Sequence, residues 1–144
     1  TLRKTGGDRE SGGSGLLPAL FSHLRKSNSP VLGTCAGAIL LCDPDDGGEP
    51  LFPASIDRNA YGRQTDSFQD VVDVSLFNSQ FPGVFIRAPR FNQSSILCDS
   101  IVFHENEVVG IKHNSRIALT FHPELTNDSR FHVWLLQQAS HSSE

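Results

Sequence analysis

The chain has 144 residues, 38% of them hydrophobic, with a mean hydropathy of −0.24, a composition that suits one folded domain, 1–144, with a real core. Twelve basic residues against sixteen acidic ones give a formal charge of −4, and the basic residues are scattered, which argues against nucleic acid or a membrane surface as partner. No apolar run has the length of a membrane-spanning helix and no charged-apolar-small leader opens the sequence, so a cytoplasmic chain is expected.

Residues 1–15 are rich in Gly, Ser and charge and read as a loop or a disordered end. Leu16 to Lys26 then carries Leu16, Leu17, Leu20, Phe21 and Leu24 at helical spacing, with Pro18 tolerable in the first turn. Ser27-Asn28-Ser29-Pro30 breaks this helix and leads into a short apolar strand at Val31-Leu32. A second helix resumes at Ala38 to Leu41. Helix, strand and helix in alternation predict a parallel α/β sheet. The acidic run from Asp43 to Pro50 reads as a solvated loop, and Arg58 to Phe68 is too polar for a core strand and reads as an exposed loop of the kind that carries binding. The second half is rich in strands, at Val71 to Phe77, Gly83 to Pro89, Ser95 to Phe103, Val108 to His113 and Ile117 to Phe121, with a hairpin turn at Asn106-Glu107. Ser129 to Ala139 reads as a closing amphipathic helix with Phe131, Trp134 and Leu135 on its inner face, and Ser140 to Glu144 should fray.

Chemistry concentrates at Gly33-Thr34-Cys35-Ala36-Gly37, where a strand gives way to a helix. The glycines permit a tight turn with unusual backbone angles, and the turn lifts the cysteine above the sheet at a helix N-terminus, where partial positive charge favours an anion. This is the geometry of a nucleophile elbow with Cys in place of Ser. A buried structural cysteine is the competing reading of the motif taken alone. Phe121-His122-Pro123-Glu124-Leu125-Thr126 supplies what a nucleophile needs: His122 and Glu124 stand two apart on an extended segment and so face one side, the first to move a proton and the second to orient its ring. Cys35, Cys42 and Cys98 are an odd number at no metal-ligand spacing, so Cys42 and Cys98 read as packing residues with reduced thiols. His104, His113 and His132 read as solvent-facing or helix-packed histidines, not ligands. No metal and no cofactor are expected.

With these residues in view, the chain resembles the class I glutamine amidotransferases, and among them the glutaminase subunits of pyridoxal 5'-phosphate synthase. The resemblance runs from about Pro30 to about Leu136 and rests on Gly33-Thr34-Cys35-Ala36-Gly37, Arg58-Asn59-Ala60-Tyr61-Gly62-Arg63-Gln64, Asp66-Ser67-Phe68, Phe85-Ile86-Arg87-Ala88-Pro89 and Phe121 to Thr126. It implies a three-layer α/β/α sandwich of flavodoxin-like type. It also implies hydrolysis of L-glutamine to glutamate and ammonia, with ammonia passed to a synthase (lyase) subunit that makes pyridoxal 5'-phosphate. Cys35 would be the nucleophile, His122 the general base and acid, Glu124 the residue holding the imidazole, and the N–H of Ala36 an oxyanion donor. Arg58, Ile86 and Arg87 would line the glutamine pocket. Taken without the resemblance, Arg58 and Arg87 read as partners in surface salt bridges.

Members of that family open on a strand, helix and strand leading to Pro-Gly-Gly-Glu-Ser, a loop that contacts glutamine and supplies a second oxyanion donor. Here Gly6-Gly7 and Glu10-Ser11 occur with Asp8-Arg9 between them and no apolar strand before them. Glu10 and Ser11 align as the substrate-binding pair, and the fold is expected to be N-terminally truncated. The alternative function that this implies is an impaired or inactive subunit that only binds the synthase. A different amidotransferase branch, feeding ammonia to another acceptor, fits Asn59 to Gln64 and Ile86 to Pro89 less well.

Overall fold

Short connections decide most of the sheet. In the computed structural model, which describes residues 16–44, 48–57 and 67–142, strands β3 (Ser67–Val74) and β4 (Ser79–Ile86), and then β6 (Asp99–His104), β7 (Glu107–His113) and β8 (Arg116–Leu119), follow one another across turns of a few residues. Links that short can only return a strand antiparallel to the one before it. Their tips use left-handed backbone at Asn78, at Glu105 and Asn106, and at Asn114, with φ of 54°, 49°, 73° and 58°. Asparagine accepts that conformation most readily after glycine. The β6–β7 turn therefore sits on Glu105-Asn106, one residue before the expected position.

The parallel pairing expected from the alternating first half is confined to one seam. Strand β1 (Val31–Thr34) lies parallel to β8, with Val31 opposite Arg116 and Thr34 opposite Leu119. The sheet order is β1-β8-β7-β6-β3-β4, and the rest of the ladder is antiparallel. A small second sheet pairs β2 (Ile56–Asp57) with β5 (Arg90–Phe91). Of the polar stretch expected as a binding loop, Arg58 to Phe68, residues 58–66 lie outside the described residues, and the last two, Ser67 and Phe68, are no loop but open β3.

Helices cover both faces of the sheet, giving the three layers expected. On one face, α1 (Leu16–Lys26) and α2 (Ala36–Cys42) bury Phe21, Leu24, Ala38, Leu40 and Leu41 against Val31, Ile111 and Ala118. On the other, α3 (Arg130–Ser142) presents Phe131 and Trp134, with Leu135 packed beside them, to Leu32, Val72, Val102, Ile117 and Leu119. The inner face of α3 is the one read from the sequence, and the helix runs on through Ser142 instead of fraying at Ser140. Asp128 starts α3 by accepting from the N–H of Arg130, whose guanidinium returns to the same carboxylate and also reaches Ser79 and the Gln80 carbonyl, tying the helix to the start of β4.

The sheet curls, so that β4, last in the ladder, comes back over the core. Phe81 and Phe85 of β4 meet Phe121 with ring centroids 6.2 and 5.4 Å apart, and Phe81 packs on the edge of Phe131 at 4.9 Å. Offset and edge-to-face aromatic contacts of this kind each add about 0.5–1.5 kcal/mol beyond the area they bury. Phe121 belongs to the segment that carries His122. The aromatic cluster therefore brings the end of β4 to the end of β8.

Candidate active site

Cys35 stands between β1 and α2 with φ 52° and ψ −109°, a conformation that L-residues avoid and that a nucleophile elbow requires. The unusual angles fall on the cysteine itself. Gly33 serves close packing instead: a Cβ there would lie 2.4 Å from Leu41 Cδ1 and 3.1 Å from the Gly37 carbonyl oxygen, so only glycine lets α2 fold back over the strand. Two bonds hold the turn, Cys35 N–H to the Leu119 carbonyl at 2.8 Å and Ile39 N–H to the Cys35 carbonyl at 3.2 Å. Ala36 is the first residue of α2, where backbone N–H groups lack an intrahelical acceptor.

His122 follows β8 in extended conformation (φ −109°, ψ 90°), but Glu124 does not lie on a strand with it. Residues Pro123–Leu125 form a 3₁₀ turn, with Pro123 at its first position, where the missing N–H costs nothing and the fixed φ suits the turn. The turn swings the carboxylate back, so that Glu124 Oε2 meets His122 Nδ1 at 2.6 Å. Expected alternation on a strand is thus replaced by a tighter device with the same outcome. Both side chains are largely buried, at 18% and 16% exposed, which strengthens the bond between them.

While Nδ1 is engaged by Glu124, the ring also interacts with Cys35. The hydrogen bond shared with Cys35 is the chief cause that pushes the His122 pKa up to about 9, against the effect of burial and with further help from Glu124. At neutral pH the imidazole is therefore held in its charged form beside the sulfur. Cys35, His122 and Glu124, read from separate parts of the sequence, are brought together as a chain of hydrogen bonds.

The end of β4 completes the arrangement, and nothing in the sequence pointed to its main chain. The Val84 carbonyl accepts from the His122 N–H at 2.8 Å, and the Ile86 carbonyl lies 3.9 Å from Cys35 Sγ as acceptor for the thiol. One strand end thus positions both the base and the nucleophile. Ile86 turns its carbonyl to the sulfur while its side chain is exposed, and Arg87 is exposed with φ 46°, so the chain turns sharply as it leaves the site. A non-glycine residue in that region costs about 1–3 kcal/mol, a cost tolerated where surrounding structure over-determines the backbone. Glu10, Ser11 and Arg58 lie outside the described residues.

Cys42 and Cys98 are free thiols, as expected of packing residues, and burial pushes them up to about 12 and about 11. Neither has the environment of a reactive cysteine. Among the described residues no helix is long and apolar enough to cross a membrane.

Comparison with known proteins bears on the fold and the family. Two proteins called pyridoxal 5'-phosphate synthase subunit PdxT, from Thermococcus onnurineus and Haemophilus ducreyi, are 42% and 44% identical to the chain, each over 83% of its length. The chain spans 66% and 65% of those two relatives, just under two thirds. A crystal structure of a glutamine amidotransferase superposes over 92% of the chain and 71% of its own length, with a TM-score of 0.75 and 31% identity. A glutamine amidotransferase from Thermotoga maritima shares the fold at a TM-score of 0.56 and 15% identity, over 98% of this chain and 60% of its own. The model of the SNO glutamine amidotransferase family matches residues 10–141, and the chain belongs to that family.

Proposed function

We propose that the chain is a glutaminase subunit that hydrolyses L-glutamine to L-glutamate and ammonia with Cys35, His122 and Glu124. The observation that carries this is the continuous run from Glu124 through His122 to a cysteine in a strained turn. Cys35 attacks the side-chain amide carbon of glutamine as a thiolate. The proton that His122 holds passes to the amide nitrogen, the C–N bond breaks, and ammonia leaves. A water molecule then attacks the thioester, giving up its proton to His122, the C–S bond breaks, and glutamate departs with the thiolate and the charged imidazole restored. Glu124 keeps the ring aligned and stabilises its charge throughout.

The tetrahedral intermediates carry a negative oxygen, and the N–H of Ala36, at the first position of α2, is the donor we assign to it. Ile86 and Arg87, at the strand end beside the sulfur, wall the glutamine pocket, with the Arg87 guanidinium suited to the substrate carboxylate. Glu10, Ser11 and Arg58 complete the pocket in this reading on the strength of the family resemblance alone. The two relatives named above are subunits of pyridoxal 5'-phosphate synthase, and we assign the ammonia to a synthase partner of the same kind.

The test is glutamate release from L-glutamine by the purified chain, alone and with a synthase subunit, together with stoichiometric labelling of Cys35 by a glutamine-analogue alkylator. Release that vanishes in Cys35→Ala supports the reading. Absence of both release and labelling in the presence of a bound synthase would overturn it and leave a subunit that only docks.

A further inference from the structure

Away from Cys35, one cluster joins three metal-ligating side chain types where the sheet is weakest. The pairing between β3 and β6 stops at Asp73 opposite Phe103, and below that point the two strands share no backbone ladder. A side-chain link replaces it: His104 Nε2 lies 2.9 Å from Asp70 Oδ2. Glu105 follows on the β6–β7 turn, and its left-handed φ of 49° turns it toward the same corner. One ligand atom from each of Asp70, His104 and Glu105 falls within 4.8 Å of the other two.

Asp70 stands exposed at the rim of β3, its side chain 47% accessible. Alternation puts it in the row Phe68, Asp70, Val72, Val74, whose last two members are 1% exposed and whose first stacks on Phe85 at 4.6 Å. The row that Val72 and Val74 bury thus reaches solvent at Asp70, which leaves the carboxylate open to a ligand. His104 is held just as firmly, its ring 5.5 Å from Phe68 and 5.3 Å from Phe85, with the side chain only 16% exposed. The imidazole cannot swing freely, so Nε2 is presented at the rim beside the carboxylate.

We propose that Asp70, His104 and Glu105 form a binding site for one divalent ion of the zinc class, which staples β3 to the β6–β7 turn. One imidazole nitrogen and two carboxylate oxygens suit zinc, cobalt or manganese, whereas calcium wants six to eight oxygens and magnesium an octahedron of oxygens. An ion at about 2.0–2.2 Å from each ligand needs ligand atoms roughly 3–3.5 Å apart. The His104–Asp70 pair already has this spacing, and the exposed Glu105 closes it by a side-chain rotation. Solvent fills the remaining positions. Because Phe68 and Phe85 lie directly under His104, the staple would fix the start of β3 and, through Phe85, the strand end that carries Ile86.

Isothermal titration with zinc chloride tests this, on chelator-treated full chain whose Cys35 has been alkylated so that the Cys35–His122 pair cannot compete. One ion per chain is expected, with binding by His104→Gln and Asp70→Asn weakened more than about tenfold. Glu105→Gln, on an exposed turn where folding is not at stake, should also bind more weakly. Zinc at a hundred times its dissociation constant should raise the folding equilibrium constant about a hundredfold, while magnesium leaves it unchanged. Cobalt in place of zinc should show nitrogen and oxygen ligation without a thiolate charge-transfer band. Titration without heat, binding unaffected by all three substitutions, or a thiolate band that moves the ion to Cys42 or Cys98 would each overturn the proposal.

Discussion

The two ends of the β1–β8 seam are built on opposite terms. At the end where Val31 faces Arg116, the arginine is 8% exposed and its guanidinium donates to three carbonyls: Leu24 at 2.5 Å, Ser27 at 2.7 Å and Ser29 at 3.1 Å. Leu24 lies in the last turn of α1, where carbonyls have no partner within the helix, so Arg116 caps α1 and fastens the loop that follows it. Every interaction there is satisfied. At the other end, where Thr34 faces Leu119, Cys35 is strained and the Thr34 hydroxyl is fully buried with no hydrogen-bond partner among the described residues. An unsatisfied buried hydroxyl costs about 1–3 kcal/mol. The same strand pair thus holds its structural anchor at one end and its reactive group at the other, and the anchor offsets what the reactive end costs.

Substitutions at the two ends should therefore separate cleanly into losses of rate and losses of stability. The largest expected effect is on rate. Glu124→Gln keeps the shape of the side chain but removes the charge that steadies the imidazolium, and kcat for glutamine should fall about 10³–10⁴-fold with little change in KM or in the unfolding midpoint. A fall of less than tenfold would mean that the bond to His122 is only structural.

Arg116→Met should do the reverse. Three carbonyls lose a charged donor in a buried setting, and about 3 kcal/mol of unfolding free energy should go with them. Urea unfolding measures the loss. Labelling of Cys35 per folded molecule should stay as it was, since the guanidinium touches nothing near the sulfur. If labelling fell in step with stability, the seam would be transmitting strain from one end to the other.

How far each end could be read in advance follows from how local its chemistry is. Gly33 to Gly37 announces an elbow within five residues, because a small-residue turn between an apolar strand and a helix has few other uses. His122 and Glu124 were legible as a pair by proximity, although the 3₁₀ turn at Pro123 that unites them was not. Alternation likewise marked the second-half strands but could not supply the curl that carries Ile86 to Cys35, because that depends on Phe81, Phe85, Phe121 and Phe131 meeting from distant segments. Arg116 gave no signal at all. Its acceptors are backbone carbonyls far upstream, and a main-chain carbonyl has no letter in the sequence.

The reactive end should also carry a pH signature that the anchored end lacks. Folding raises the His122 pKa from 6.5 to about 9, so the folded chain holds that proton more tightly than the unfolded one does. The resulting stability is fully present below about pH 6.5 and drains away as pH rises through about 9. Unfolding curves at pH 6 and pH 9.5 should show this decline. Cys35→Ala removes the first cause of the shift, so the decline should shrink and the His122 ring resonances should titrate at lower pH. Arg116→Met should lower both curves equally.

The smallest effect is the most pointed, because it sets the strain at Cys35 against the chemistry that the strain serves. Cys35→Gly and Cys35→Ala both lack the thiol and should both fail to release glutamate, so turnover cannot distinguish them. Stability can. At φ 52° and ψ −109° an alanine keeps the clash between Cβ and backbone that the cysteine bears, whereas glycine has no Cβ to clash. Against this, glycine gives the unfolded chain more freedom, worth about 0.4–1 kcal/mol in the opposite direction. With relief of about 1–3 kcal/mol at such a position, Cys35→Gly should emerge more stable than Cys35→Ala by about 1 kcal/mol in urea unfolding. Equal stabilities, or an advantage to alanine, would mean that the turn relaxes once the thiol is gone and that sulfur, held by His122 and the Ile86 carbonyl, keeps the backbone in its strained form.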